Sequence, residues 1–171
     1  MLLKGYRAHW KSSGLFPPLV KGGRGDLDKI MIIVSACLAG VRCRYDGKSA
    51  AVKEVKSLVR EGKALPLCPE QLGGLPTPRF PSEIVNGDGE DVLKGNSSVI
   101  DEEKRDVTEQ FVRGAQGIAD LAGLVGAKRA ILKAGSPSCG YGWIKRNGRL
   151  VKGNGVTAAL LLRLGMEVIE R

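Results

Sequence analysis

The sequence has almost no histidine, since its only one, His9, lies within the first 30 residues. That stretch also lacks the apolar periodicity of helices and strands. The folded part of the chain is therefore predicted to contain no imidazole. Ser-His-Asp and Cys-His catalysis are excluded there, so proton transfer must use a carboxylate, lysine, tyrosine or water.

Long apolar runs are also missing. No run approaches the roughly 18 residues that a membrane span needs. The apolar patch at residues 14–20 is interrupted by Pro17 and Pro18, unlike the core of a secretory signal. We therefore expect a cytoplasmic protein with no membrane partner. Thiols stay reduced in that compartment, so the four cysteines favour metal binding or catalysis over disulfides.

Clustered positive charge is missing too, although the formal net charge is +9. Residues 1–30 hold six Lys or Arg and two Asp, and the rest of the chain holds 21 basic and 16 acidic residues. The charges of this main part are scattered and nearly balanced. A nucleic-acid partner is therefore not expected.

The chain divides into a tail and a single domain. Residues 1–30 have no helical or strand period, and they contain FPP and KGGRGD, so they are predicted to form a disordered tail. Because Met31 opens the first patterned segment directly, a start codon chosen too far upstream would explain the tail. Residues 31–171 are predicted to form one domain of ordinary globular composition.

Short apolar runs in this domain alternate with amphipathic segments. The runs at residues 31–35, 64–67, 128–133 and 167–169 are typical of buried parallel strands. Helices are predicted at residues 50–61, from residue 106 to 125, and at residues 155–164. The predicted fold is α/β: a three-layer, open, mainly parallel sheet with helices on both faces.

Turn residues and prolines define the remaining segments. Four prolines between residues 69 and 81 predict an extended loop with no regular helix. Residues 86–100 are predicted to form a hairpin or an irregular excursion, and residues 143–150 a hairpin around Asn147 and Gly148.

Three of the four cysteines follow predicted strands. Cys37, Cys68 and Cys139 each lie beyond a strand expected to be central and parallel, so their thiols should converge at the carboxyl edge of the sheet. Cys43 lies further into a loop. The spacing matches neither zinc ribbons nor the ferredoxin run. Buried structural cysteines, an iron-sulfur or other metal centre, and a redox thiol pair all remain open.

Other candidate residues flank these thiols. Glu70 follows Cys68 by two residues in the proline-rich loop, which makes it the most distinctive carboxylate of the chain. Ser136 and Ser138 lie on either side of Pro137 just before the last cysteine, where capping of a turn is the simplest role.

Several motifs together resemble a bacterial family that was formerly a domain of unknown function and whose characterised members are thiouracil desulfidases. The motifs are VSACLAG at residues 34–40, RYDG at 44–47, CPEQLGGLPTPR at 68–79, SPSCG at 136–140 and GNGVTA at 153–158. They occur in the family's order across residues 31–171, and CPEQLGGLPTPR is the most specific. Residues 1–30 lie outside the resemblance.

The resemblance implies a [4Fe-4S] cluster held by Cys37, Cys68 and Cys139, with one iron open to the sulfur of a thiolated pyrimidine. Cys43 departs from a three-cysteine pattern. It leaves open a fourth ligand, which would close the cluster and make the protein a non-catalytic iron-sulfur or metal-binding module.

The resemblance also implies an enzymatic activity, the desulfuration of thiouracil to uracil and hydrosulfide without net redox change. Glu70 would be the functional carboxylate and would take a proton from water. The functional serine would be Ser136 or Ser138. The expected partner is a small thiolated pyrimidine, and the oligomeric state stays open.

The division at residue 31 can be tested by truncation. A chain that starts at Met31 should melt at the same temperature and bind the same amount of metal as the full chain, since every patterned element follows residue 30. Thermal melting and metal analysis of both chains make the comparison. A large loss in either quantity would contradict the division.

Overall fold

The computed structural model describes residues 31–171, so the predicted tail and His9 lie outside the described residues. In chain order its elements are β1 (Ile32–Ser35), α1 (Lys53–Arg60), β2 (Ala64–Leu67), α2 (Pro69–Leu72), β3 (Ser82–Ile84), α3 (Gly89–Leu93), β4 (Val99–Asp101), α4 (Thr108–Leu124), β5 (Arg129–Leu132), β6 (Trp143–Arg146), β7 (Arg149–Lys152), α5 (Val156–Arg163) and β8 (Glu167–Glu170). Within residues 31–171, none of the helices has the length and apolarity to cross a membrane.

The central sheet has four strands in the order β2-β1-β5-β8, and all neighbours pair in parallel. Side chains alternate between its faces. Ile33 and Ala130 pack with residues of α4 and α5, whereas Val34 and Ile131 pack with Val55 of α1. The predicted three-layer α/β sheet with helices on both faces is confirmed.

One expectation about this sheet is wrong. The strand before Cys68, β2, lies at the edge of the sheet and not in its centre. Pro66 explains the difference, because a proline cannot donate a ladder hydrogen bond and is tolerated on an edge strand. The three strands that precede the predicted cysteine ligands are still neighbours.

The prediction that the proline-rich segment contains no regular helix is wrong. Residues Pro69–Leu72 form the short helix α2, with Pro69 in its first turn. Proline is tolerated there because the first backbone N–H groups of a helix have no intrahelical acceptor, and its fixed φ suits a helix. Four prolines therefore exclude a longer helix only.

The segment of residues 86–100 also differs from a simple hairpin. It contains α3, whose amino end has a capping box between Asp88 and Asp91. Strand β4 then pairs antiparallel with β3. The predicted hairpin at residues 143–150 is confirmed as β6 and β7, with Asn147 and Gly148 at positive φ in the turn.

Helices α2 and α4 approach each other at two glycines. A Cβ on Gly114 of α4 would overlap the carbonyl oxygen of Pro69, and a Cβ on Gly73 would overlap the carbonyl oxygen of Gln110. Arg113 donates from Nε to the Gly73 carbonyl oxygen at 3.0 Å. Backbone contact between these helices fixes the position of the segment that follows Cys68.

Glycine-to-alanine substitutions in α4 should separate this contact from helix propensity. Gly114→Ala should lower the free energy of unfolding by about 1 to 3 kcal/mol, because the added methyl group meets rigid backbone. Gly123→Ala in the same helix has open space and should raise it by about 0.5 to 1 kcal/mol. Urea unfolding measures both, and equal effects would contradict the close contact.

Candidate functional site

The site lies where the order of strands reverses. The chain passes from β1 to β2 on one side and later returns to place β5 on the other side of β1. In open parallel sheets such a point leaves a crevice at the carboxyl ends of the strands. A cavity of about 360 Å³ lies at these ends, bordered by Ser35, Leu67 and Lys133 among others.

All four cysteines line this cavity as free thiols. The structure therefore brings Cys37, Cys68 and Cys139 together, as their positions after neighbouring strands predicted. It also brings in Cys43, which sequence reasoning placed further out in a loop. Cys43 is only 2% exposed, and the loop after β1 folds back so that it shares a core with Cys37.

The thiols of Cys37, Cys43 and Cys68 shift one another's pKa values. Interaction with the Cys43 thiol holds the pKa of Cys37 below the ordinary value, against the opposing effect of burial. The same interaction, seen from Cys43, raises the pKa of that thiol to about 11. The pKa of Cys68 is raised by the Cys43 side chain and by burial. Cys37 is therefore the thiol of this group that ionises most readily.

Cys139 comes from the other side of the crevice. Burial raises its pKa to about 12, and a hydrogen bond with Ser35 partly offsets that rise. The hydroxyl oxygen of Ser35 also accepts a hydrogen bond from the backbone N–H of Lys133 at 3.0 Å. Ser35 was not predicted from the sequence. Ser35 is the last residue of β1, so its position at a strand end is the feature of the sequence that points to a place at the site.

Glu70 projects from α2 into the lining of the same cavity and pairs with Arg79. The distance from Arg79 Nε to Glu70 Oε2 is 2.7 Å, and only 6% of the Arg79 side chain is exposed. Arg79 Nη1 also donates to the Cys43 carbonyl oxygen at 3.1 Å. Arg79 belongs to the CPEQLGGLPTPR motif, but spacing alone does not reveal this pair.

The two candidate serines have different surroundings. Ser136 lines the cavity, and its Oγ accepts hydrogen bonds from the backbone N–H groups of Ser138 and Cys139, both at 3.1 Å. Ser138 is fully buried and bonds to the Thr157 hydroxyl at 2.9 Å. Its carbonyl oxygen accepts from the backbone of Thr157, so it anchors the start of α5.

Positive side chains outnumber carboxylates in the cavity lining. Four cations face two carboxylates there: Arg44, Arg79, Lys133 and Lys145 against Glu70 and Glu83. This balance favours a group that carries negative charge, as thiolates do. Tyr45 is the aromatic side chain in the lining, and Arg44 lies 5.7 Å from its ring centroid.

The thiols border the cavity without meeting at one point. Within residues 31–171, no three Cys, His, Asp or Glu side chains lie close enough together to hold a single metal ion. The donors are nevertheless all sulfur, from four residues with no disulfide between them. Such a set suits a multi-atom group with several separate thiolate ligands better than one mononuclear ion.

Comparisons with known proteins agree with this arrangement. Residues 32–171 match the family described as 2-thiouracil desulfurase. The uncharacterized protein YbbK of Bacillus subtilis (strain 168) is 47% identical over 143 residues, which cover 82% of this chain and 95% of that protein. A solved structure of the [4Fe-4S]-dependent thiouracil desulfidase TudS is 43% identical, with a TM-score of 0.74 over 84% of this chain and 91% of that chain.

The fold and the cavity together define an α/β protein with a thiol-rich site at the carboxyl edge of a parallel sheet. Within that class, the chain belongs to the 2-thiouracil desulfurase family, which it matches over residues 32–171. The resemblance found in the motifs is confirmed. Since the family is named for a reaction, the chain is an enzyme.

The buried pair of Ser138 and Thr157 can be tested by stability. Ser138→Ala should lower the free energy of unfolding by about 1 to 3 kcal/mol, because it leaves a buried hydroxyl without its partner. Adding Thr157→Val should recover part of that loss. Ser97→Ala is the control: it removes a solvent-exposed hydrogen bond from the Ser97 hydroxyl, and it should lower the free energy of unfolding in urea by less than about 1 kcal/mol. If the losses of the two single substitutions simply added in the double variant, the pairing would be contradicted.

Proposed function

We propose that this enzyme removes sulfur from a thiolated pyrimidine such as thiouracil, using a [4Fe-4S] cluster held by Cys37, Cys68 and Cys139. The observation that carries the proposal is that these three cysteines and Glu70 line one cavity at the strand ends. Family membership supports the reaction. The similarity to TudS, described as [4Fe-4S]-dependent, supports the cofactor.

The residues present fit such a cluster. Cysteine thiolates are the usual ligands of iron-sulfur clusters, and here they come from three separate loops around one cavity. The cationic excess of the lining offsets the negative charge that three thiolates bring. When bound, the cluster would supply an iron that accepts the soft thiocarbonyl sulfur and makes the ring carbon more electrophilic.

Glu70 is the proposed general base. Its Oε2 is engaged by Arg79, whereas its Oε1 accepts no hydrogen bond from any residue between 31 and 171. That oxygen is available to take a proton from a water molecule that attacks the carbon bearing sulfur. A C–O bond forms, the C–S bond breaks, and uracil and hydrosulfide leave with no change in oxidation state.

Ser136 is the proposed orienting hydroxyl, and Ser138 is assigned to the packing of α5. Because the Ser136 oxygen accepts two backbone hydrogen bonds, its own proton remains to be donated into the cavity that it lines. It can therefore fix the attacking water or a ring oxygen. Tyr45 offers a flat apolar surface at the cavity for the planar base.

A second candidate function follows from Cys43. Its thiol interacts with those of Cys37 and Cys68 and lines the same cavity, so four sulfur donors are at hand. A cluster with four cysteine ligands would have no open iron. It would serve as a non-catalytic iron-sulfur or metal-binding module.

Five single variants test the assignment. Cys37→Ser, Cys68→Ser and Cys139→Ser should each lose the cluster and the activity, because a hydroxyl is a harder and far less acidic donor than a thiol. Glu70→Gln should keep the cluster and lower kcat by about 100-fold to 10,000-fold, since an amide cannot take a proton from water. Iron and sulfide analysis, with anaerobic release of uracil and hydrosulfide from thiouracil, gives both readouts.

Cys43→Ser is the matched control among the thiols. It should keep both iron content and turnover. Loss of the cluster in Cys43→Ser would instead support the four-cysteine module. Full activity in Glu70→Gln would remove Glu70 as the base.

A further inference from the structure

We propose that Arg79 is a positioning residue that fixes Glu70 against the backbone at Cys43, in the loop after β1. The proposal rests on the function proposed above and assigns a role to a side chain that this function does not use directly. The relevant contacts join three segments: helix α2, the loop that follows it and ends at Arg79, and the loop after β1, in which Cys43 is more than 30 residues from Arg79 in sequence.

The guanidinium group of Arg79 donates hydrogen bonds to two of these segments at once. Its Nε donates to Glu70 Oε2 at 2.7 Å, and its Nη1 donates to the Cys43 carbonyl oxygen at 3.1 Å. The Cys43 carbonyl oxygen also accepts from the Cys68 thiol at 3.8 Å. One arginine therefore links the proposed base to the backbone carbonyl of a cysteine that lines the cavity.

The loop of Arg79 is itself held in place. Nη1 also donates to the Pro76 carbonyl oxygen at 3.1 Å and lies 3.3 Å from Thr77 Oγ1. The Thr77 hydroxyl in turn accepts from the Gln71 side chain at 3.0 Å, which ties this loop to α2. The backbone N–H of Arg79 donates to the Tyr45 carbonyl oxygen at 2.9 Å. Little freedom is left to the buried side chain.

This arrangement determines which oxygen of Glu70 is available. Glu70 has several rotatable bonds and would otherwise sample more than one rotamer at the cavity. The bond from Nε takes Oε2 and leaves Oε1 as the oxygen without a partner from residues 31–171. A lysine could supply the charge but not the planar fork that reaches a carboxylate and a carbonyl together. The geometry therefore requires arginine.

The test compares kcat and KM in the iron-loaded enzyme. Arg79→Met should keep its iron and its KM for thiouracil within about twofold, and it should lower kcat by about 100-fold, since a misplaced catalytic group costs about that much. Arg79→Lys should recover less than about a tenth of the lost kcat, since it lacks the fork. Recovery of full turnover by lysine would overturn the claim.

A double variant shows whether Arg79 acts through Glu70. In the Glu70→Gln background, Arg79→Met should change kcat by less than about twofold, because residues that act as one unit are not additive. A further 100-fold loss would show that Arg79 acts independently, which overturns the proposal. Loss of iron in Arg79→Met alone would likewise overturn it, since the arginine would then serve cluster retention.

Arg105→Met is the matched control, because Arg105 Nε also donates to a carboxylate, Asp101 Oδ2, at 2.7 Å, yet neither residue lines the cavity. It should leave kcat unchanged. Hydrogen exchange gives a readout besides activity: backbone amides of residues 43–47, which lie at the two carbonyl groups bonded by Arg79, should exchange faster in Arg79→Met and not in Arg105→Met. Unchanged exchange would overturn the proposed hold on this loop.

These readouts separate the two proposals. If the iron-loaded wild type released no hydrosulfide from thiouracil, the proposed function would fail. The exchange measurement would still decide whether Arg79 fixes the loop after β1. If the wild type is active and Arg79→Met turns over equally fast, the inference about Arg79 fails alone.

Discussion

The parallel pairing of β1 with a neighbour on each side is the constraint on which the rest of the structure depends. Since β1, β2 and β5 run in the same direction, their carboxyl ends meet at one edge, and whatever follows them in sequence is delivered to the same crevice. Thiols at positions 37, 68 and 139 need no local sequence motif to become neighbours. The sheet supplies their proximity, and the loops only have to aim the side chains.

Packing outside the sheet then decides how exactly these loops are placed. The short helix that begins at Pro69 contacts the backbone of α4 at Gly73 and Gly114. The two backbone segments are so close there that no side chain could lie between them. Glu70 is thus carried on a segment that is held on one side by α4 and on the other by Arg79. A proton acceptor needs such support, since geometry limits proton transfer before basicity does.

Much of the fold could be predicted from the sequence, because buried parallel strands are short continuous apolar runs whose signal is local. The start of α2 was missed since proline bars a helix only where an N–H is needed, and α3 was missed because a capping box rather than periodicity stabilises it. For the site, motifs and strand ends indicated the thiols and Glu70. Nothing local separates Ser136 from Ser138, since only the distant Thr157 distinguishes them, and the partners of Arg79 are likewise tertiary.

The hydrogen bond between Ser35 and the backbone of Lys133 closes a loop of 98 residues, and this has a consequence for the order of folding. Residues 32–68 form a βαβ unit whose contacts are local, so three of the thiols can gather while later parts of the chain are still being synthesised. Cys139 joins only after β5 docks, which requires a long loop closure. We therefore expect Cys139 to be the last of the four thiols to take its place at the strand ends, since its position depends on the pairing with the largest sequence separation.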